Sequence, residues 1–288
     1  MFDFIFSPFI EFGFMQRALI GCLALSIGAT PIGVFLTLRR MSLTGDAMAH
    51  AILPGAALGY LIAGLSLGAM TIGGVIAGIT VAILSGLVAR TTVAQEDSSL
   101  AAFYLISLAI GVVIVSMRGS NVDLLHILFG TVLALNDEAI LLVSSISTIT
   151  LISLALIYRP LVMECLDQSF LRSVSNLSSL AHYGFLVLAV LNLVGGFHAL
   201  GTLMSVGIMI LPAAAARFWT RDITPLIAIS VLMAFVSGFI GLLLSYYVSM
   251  PSGPAIILTA GLIYIFSLFF GSNGVVRKKF PPHHHFQE

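Results

Sequence analysis

A succession of apolar runs, each near twenty residues long and parted by short polar breaks, constrains this chain more than any other feature. A helix needs about 20 apolar residues to cross a hydrocarbon layer, and it satisfies its backbone amides internally there. Candidate spans fall at roughly 18–38, 46–64, 68–89, 98–117, 138–158, 182–198, 200–216, 224–248 and 253–271. Gly195, Gly196, Gly201 and Pro212 interrupt the stretch 182–216, so it reads either as two spans or as one broken helix. The expected fold is all-α: a polytopic transmembrane helical bundle of eight or nine spans, one domain over 1–288, set in a lipid bilayer. Composition points the same way. The chain is 59% hydrophobic and 8% charged, with a mean hydropathy of +1.12, whereas a soluble domain carries about 25% charged residues. The longest polar connection, about 159–181, is too short to hold a core of its own.

Basic residues orient the bundle. With nine alternating spans, Arg39, Arg40, Arg90, Arg159, Arg172, Arg217, Arg221, Arg277, Lys278 and Lys279 share one side, and only Arg17 and Arg118 lie on the other. Positive charge marks the cytoplasmic side, so the N-terminus is expected outside and the C-terminus inside. Net charge is zero, which argues against a nucleic-acid partner. Cys22 lies in an apolar run and Cys165 near the cytoplasmic side, so no disulfide is expected. No charged leader with a small-residue cleavage site opens the chain, so no removable signal peptide is expected. The ending PPHHHFQE reads as a polar tail, with metal binding by His283, His284 and His285 left open.

Several chemistries are missing. The sequence holds no G-x-x-x-x-G-K-[ST] loop, and its only lysines are Lys278 and Lys279, so ATP is not hydrolysed here by that route. The glycine-rich stretch 68–78 reads as close helix packing by small residues. No serine–histidine–acid set or paired acid sits in a context suited to hydrolysis, so the chain is not expected to be an enzyme. In the outer connection 119–137, NVDLLHILFGTVLAL reads as a short surface helix whose Asp123 and His126 form a wet face, followed by the acids Asp137 and Glu138. In the inner one, LVMECLDQSFLRSVSNLSSL mixes Glu164, Asp167 and Arg172 with leucines, as a docking surface for a soluble partner would.

The run RRMSLTGDAMAHAILPG carries the chemistry. Asp46 and His50 are four apart, so a helix places them on one face, one turn above the other. Counted from Arg40 at ~1.5 Å per residue, Asp46 lies ~9 Å deep and His50 ~15 Å deep, near the middle of a ~30 Å layer. Ionisable groups at that depth cost several kcal/mol unless they line a polar path or meet a partner. One carboxylate and one imidazole suit a cation such as Zn²⁺ or Mn²⁺ better than Ca²⁺ or K⁺. Two ligands are too few, but two copies meeting at this helix would supply four. His198, flanked by glycine and alanine, reads as a packed or interfacial histidine, and His182 at a helix start carries no functional assignment.

At these residues a resemblance enters. RRMSLTGDAMAHAILPGAALG resembles the signature of the permease subunits of the zinc/manganese/iron ABC importers, in which a G-D-x-x-x-H-A run on the second helix precedes a proline–glycine pair. The likeness continues through DLLHILFGTVLAL, ALGTLMSVGIMILPAAAARF and GLLLSYYVSMPSGPAIILTAG, from about residue 15 to 271. It implies a homodimeric, or at times heterodimeric, permease in the bacterial cytoplasmic (inner) membrane. An ATP-binding cassette ATPase subunit would bind below it, and an extracytoplasmic metal-binding protein would dock outside. The cargo would be Zn²⁺, Mn²⁺ or Fe²⁺, with no permanently bound cofactor. Asp46 and His50 match the family's intramembrane metal-path residues. The stretch about 163–180 matches its coupling helix, although LDQSFLRSVSNLSS departs from the family's usual acid-plus-alanine-glycine wording. Two other readings are a stand-alone proton-coupled carrier and a non-transporting sensor. Proton relays need a chain of acids, and apart from Glu138 at a span edge the spans hold none beyond Asp46, which disfavours the carrier.

Overall fold

A computed structural model describes residues 2–64, 66–93, 96–117, 135–166, 171 and 177–275. Among them are ten helices: α1 Phe2–Glu11, α2 Gly13–Leu38, α3 Ser42–Ala63, α4 Leu67–Thr91, α5 Glu96–Met117, α6 Asp137–Leu166, α7 Leu177–Leu200, α8 Thr202–Ala216, α9 Ile223–Val248 and α10 Ser252–Phe270. Eight of them are long and apolar enough to cross a membrane; α8 is shorter, ~22 Å at 1.5 Å per residue. Most helix starts carry no side-chain cap, as at α2, α3, α4, α8, α9 and α10. An exception is α6, where the Asn136 side chain accepts from the Ala139 amide at 2.9 Å and Asp137 and Glu138 occupy the positive first turn.

The interrupted stretch 182–216 is two helices. Gly201 takes φ 85° and ψ 163°, a region side chains disfavour, and there the chain reverses. α8 then folds back on α7 with Gly196 against Ser205, whose hydroxyl donates to the Leu193 carbonyl at 3.4 Å. The fifth span departs from the expected 138–158, since α6 runs on through Pro160 to Leu166. Proline removes one backbone hydrogen bond. Here tertiary contacts of the last turn outweigh that loss, because Leu161 and Glu164 are buried there. Glu164 is therefore part of a helix and not of a solvated connection.

The helix ends assemble as the basic residues required. Arg217, just past α8, donates to the Thr37 carbonyl near the end of α2 at 3.1 Å. Ser272, just past α10, donates to the Trp219 carbonyl at 2.5 Å. These are all ends expected in the cytoplasm. At the opposite end of α2, Arg17 pairs with Asp137 at 3.5 Å, both exposed.

Between spans, lipid offers no hydrophobic gain over protein, so close backbone packing and buried polar contacts hold helices together. α3 carries Gly55 and Gly59, four apart, and α4 meets them with Ala69, Gly73 and Ala77. A side chain on Gly55 would strike the Gly73 carbonyl, and one on Gly73 would strike that of Gly55. The buried Asn192 of α7 donates to Thr150 Oγ1 of α6 at 2.7 Å, and Ser147 of α6 donates to the Ala24 carbonyl of α2 at 2.7 Å. We expect Gly73→Leu to destabilise the bundle by about 1–3 kcal/mol through overpacking. Gly261→Leu should change little, since nothing lies within 4 Å of that position. Thermal unfolding of the two variants in detergent checks this.

Candidate functional site

Asp46 and His50 occupy the second and third turns of α3. Only three residues separate that helix from the end of α2, because Arg40 takes the left-handed φ of 61° and the Met41 amide donates back to the Leu36 carbonyl at 2.9 Å. The turn fixes where the acid and the imidazole stand relative to the cytoplasmic end of α2. One face of α3 is sealed by α4 through the Gly55–Gly73 contact, and Gly45 lets α8 approach with Met209 and Ile210. On another side Ser107 of α5 donates to the Ala51 carbonyl at 3.0 Å. A turn earlier on α5, Tyr104 lies beside His50 with ring centroids 6.3 Å apart and planes at 29°.

The remaining stripe of α3 has no cover among the described residues. Leu43 is 82% exposed, the Asp46 side chain 66% and the His50 side chain 32%, and Leu53 and Ala57 are half-buried. These positions recur every three or four residues, the spacing of a helix seam that faces a partner. A carboxylate this open inside a membrane span is stable only against a second protein surface or water.

His50 Nε2 lies 3.9 Å from Asp46 Oδ1. Two ligand atoms each ~2.1 Å from one cation, at the tetrahedral angle, stand ~3.4 Å apart. A small rotation therefore brings both onto a single ion. His50 Nδ1 is buried and has no hydrogen-bond partner among the described residues, so its tautomer is not fixed from behind, as it is at most metal-bound histidines. No group of three or more histidine, cysteine or acid side chains capable of holding a metal occurs among the described residues. Asp46 and His50 by themselves are two candidate ligands, fewer than a four-coordinate site needs.

Other sequence expectations fall differently. Asp123, His126, Asp167, Arg172 and His283–His285 lie outside the described residues, as do the side chains of Arg90 and His198. Asp137 and Glu138 are exposed at the outer start of α6, and Asp137 is partly neutralised by Arg17.

Sequence reasoning missed a buried ionic cluster. Arg39 at the end of α2, Glu164 in the last turn of α6 and His182 in the second turn of α7 have side chains 6%, 0% and 2% exposed. Arg39 Nη2 lies 2.7 Å from His182 Nδ1 and 3.6 Å from Glu164 Oε1, and its guanidinium stands over the Phe185 ring at 5.5 Å. Guanidinium only donates, so Nδ1 accepts and the ring proton is assigned to Nε2. The 3.5 Å approach of His182 Nδ1 to Glu164 Oε1 is then no hydrogen bond, and the ion pair is Arg39–Glu164. The available signal was a glutamate set among apolar neighbours at a cytoplasmic span end, with an arginine at another such end.

The stacked ring beside His50 generates a prediction. Tyr104→Phe should leave divalent-cation binding unchanged, and Tyr104→Ala should weaken it roughly two- to tenfold, the worth of an aromatic pair of about 0.5–1.5 kcal/mol. Calorimetric titration of the purified protein with Mn²⁺ measures both.

Comparison with known proteins follows the same line. The model of the ABC 3 transport family matches residues 11–271. The "Manganese import system permease protein ScaB" of Streptococcus parasanguinis is 30% identical over 259 residues, 90% of this chain and 91% of that protein. The "Probable iron transport system membrane protein" of Haemophilus influenzae is 30% identical over 270 residues, 94% of this chain and 98% of that protein. Among solved structures, "PsaBC from Streptococcus pneumoniae in complex with Fab" matches with a TM-score of 0.83 and 28% identity, covering 97% of this chain and 99% of that one.

Proposed function

This chain belongs to the ABC 3 transport family, and we propose that it forms, with a second copy, the membrane path of an ATP-driven importer for manganese or iron(II). It is a multi-pass permease of the cytoplasmic membrane. The observation that carries the proposal is Asp46, an acid two-thirds exposed on a span that otherwise presents apolar residues, with His50 one turn deeper. Pairing two α3 seams across a two-fold axis covers both side chains and brings two carboxylates and two imidazoles together. A cation entering there exchanges its water shell for two anionic oxygens and two neutral nitrogens. The carboxylates offset its charge. Mixed oxygen and nitrogen ligation suits Mn²⁺ and Fe²⁺, and the names of the relatives favour these two over Zn²⁺, which the same ligands also accept.

The remaining parts belong to other chains. Since the sequence has no phosphate-cradling loop, hydrolysis falls to an ATPase that docks on the cytoplasmic connection, about 163–180. Leu166, Leu177 and Leu180 there are 80%, 50% and 62% exposed, an apolar rim suited to a soluble partner. A metal-carrying protein would deliver cargo at the outer face, where Asp137 and Glu138 stand in solvent.

Two measurements test the reading. In liposomes holding the permease pair, its ATPase and its metal-carrying protein, Asp46→Asn and His50→Ala should each lower Mn²⁺ uptake at least tenfold while assembly is kept. Wild-type uptake in both would contradict the metal path. The dimer is tested separately. With Cys22 and Cys165 replaced, Ala57→Cys on the seam should form a disulfide-linked pair on oxidation. Leu156→Cys, 79% exposed on α6, should not.

A further inference from the structure

We propose that Arg39, Glu164 and His182 are positioning residues that transmit movement of the cytoplasmic connection to the metal-bearing helix α3. The inference rests on the importer reading above and adds the mechanical link which that reading lacks. Glu164 lies two residues before the end of α6 and His182 five residues after the start of α7. Both flanks of the connection 167–176 are thus gripped by one arginine. Arg39 itself caps α2, three residues ahead of the first turn of α3 and seven ahead of Asp46.

The grip is stiff for three reasons. All three side chains are almost wholly buried, and separating an ion pair there leaves an uncompensated charge without water. Arg39 also stacks on Phe185, which meets Phe35 of α2 edge-on at 6.3 Å, so the guanidinium is held from both elements. The short turn behind it is held by the Met41–Leu36 hydrogen bond and the left-handed Arg40. A push on the connection therefore moves α6, α7 and the end of α2 as one body. The base of α3 must follow. Arg217, bound to the Thr37 carbonyl, carries the same displacement to α8, whose Met209 and Ile210 border the start of α3.

The test uses the complete importer in liposomes and reads the number of Mn²⁺ ions moved per ATP hydrolysed. Glu164→Gln keeps shape and removes the ion pair; Arg39→Met with Glu164→Met removes both charges and keeps the packing. Each should assemble and retain Mn²⁺ on the permease, while ions moved per ATP fall at least fivefold. A purely structural role would lower the amount of active complex and leave that ratio unchanged. The double variant leaves no charge buried, so it makes the comparison even if Glu164→Gln folds poorly. An unchanged ratio in the assembled double variant overturns the proposal. Mn²⁺ uptake by the wild-type permease without any ATPase would instead overturn the importer reading, and this inference with it.

Discussion

A carboxylate left open to hydrocarbon is not a stable arrangement, and the surface of α3 is organised around one. Asp46 sits on a seam between Leu43 and Leu53 with two-thirds of its side chain uncovered by the described residues. Desolvation forbids leaving it against lipid. The seam therefore needs a partner, and in the proposed dimer a second copy of the same seam would supply it with self-complementary contacts. The feature that leaves α3 uncovered among the described residues is the one that would give such a pair a polar path. In that proposal binding site and subunit interface are one surface, seen from two sides.

The rest of the fold serves to hold that helix still. Its back is fixed on α4 by backbone contact at Gly55, Gly59 and Gly73, which allows no side chain between them. Its flank is tied to α5 by Ser107, and its base is set by the three-residue turn from α2. Polar contacts between spans are individually worth about 0.6–2 kcal/mol, so small residues in register matter more than any single hydrogen bond. Below, the buried Arg39–Glu164–His182 cluster joins the ends of three helices at the level where an ATPase would act. A rigid path above and a gripped base below are what a pump requires, because alternating access needs whole helices to move as bodies.

Much of this was legible in the sequence because the bilayer imposes a single length and polarity on every span. The expected boundaries agree with the helices to within a few residues at α2 to α5 and α8 to α10. Asp46 and His50 stood out because charge is so scarce around them. Two things were not legible. Proline at 160 signalled a helix end, yet burial of Leu161 and Glu164 carries α6 onward. Such tertiary contacts are invisible to a local rule. The ionic cluster was missed because its members are far apart in sequence, at positions 39, 164 and 182, and each alone resembles an ordinary span-end charge. Whether such a charge is solvated or buried depends on how the helix ends converge.

The central claim is that two copies share one cation between Asp46 and His50. It is tested most directly by counting metal on the purified permease and reading its ligands by X-ray absorption. The account predicts one Mn²⁺ per two chains, ligated by oxygen and nitrogen without sulfur, and lost when Asp46 is changed to asparagine. One tightly bound ion per chain, or an unchanged spectrum in that variant, would contradict it.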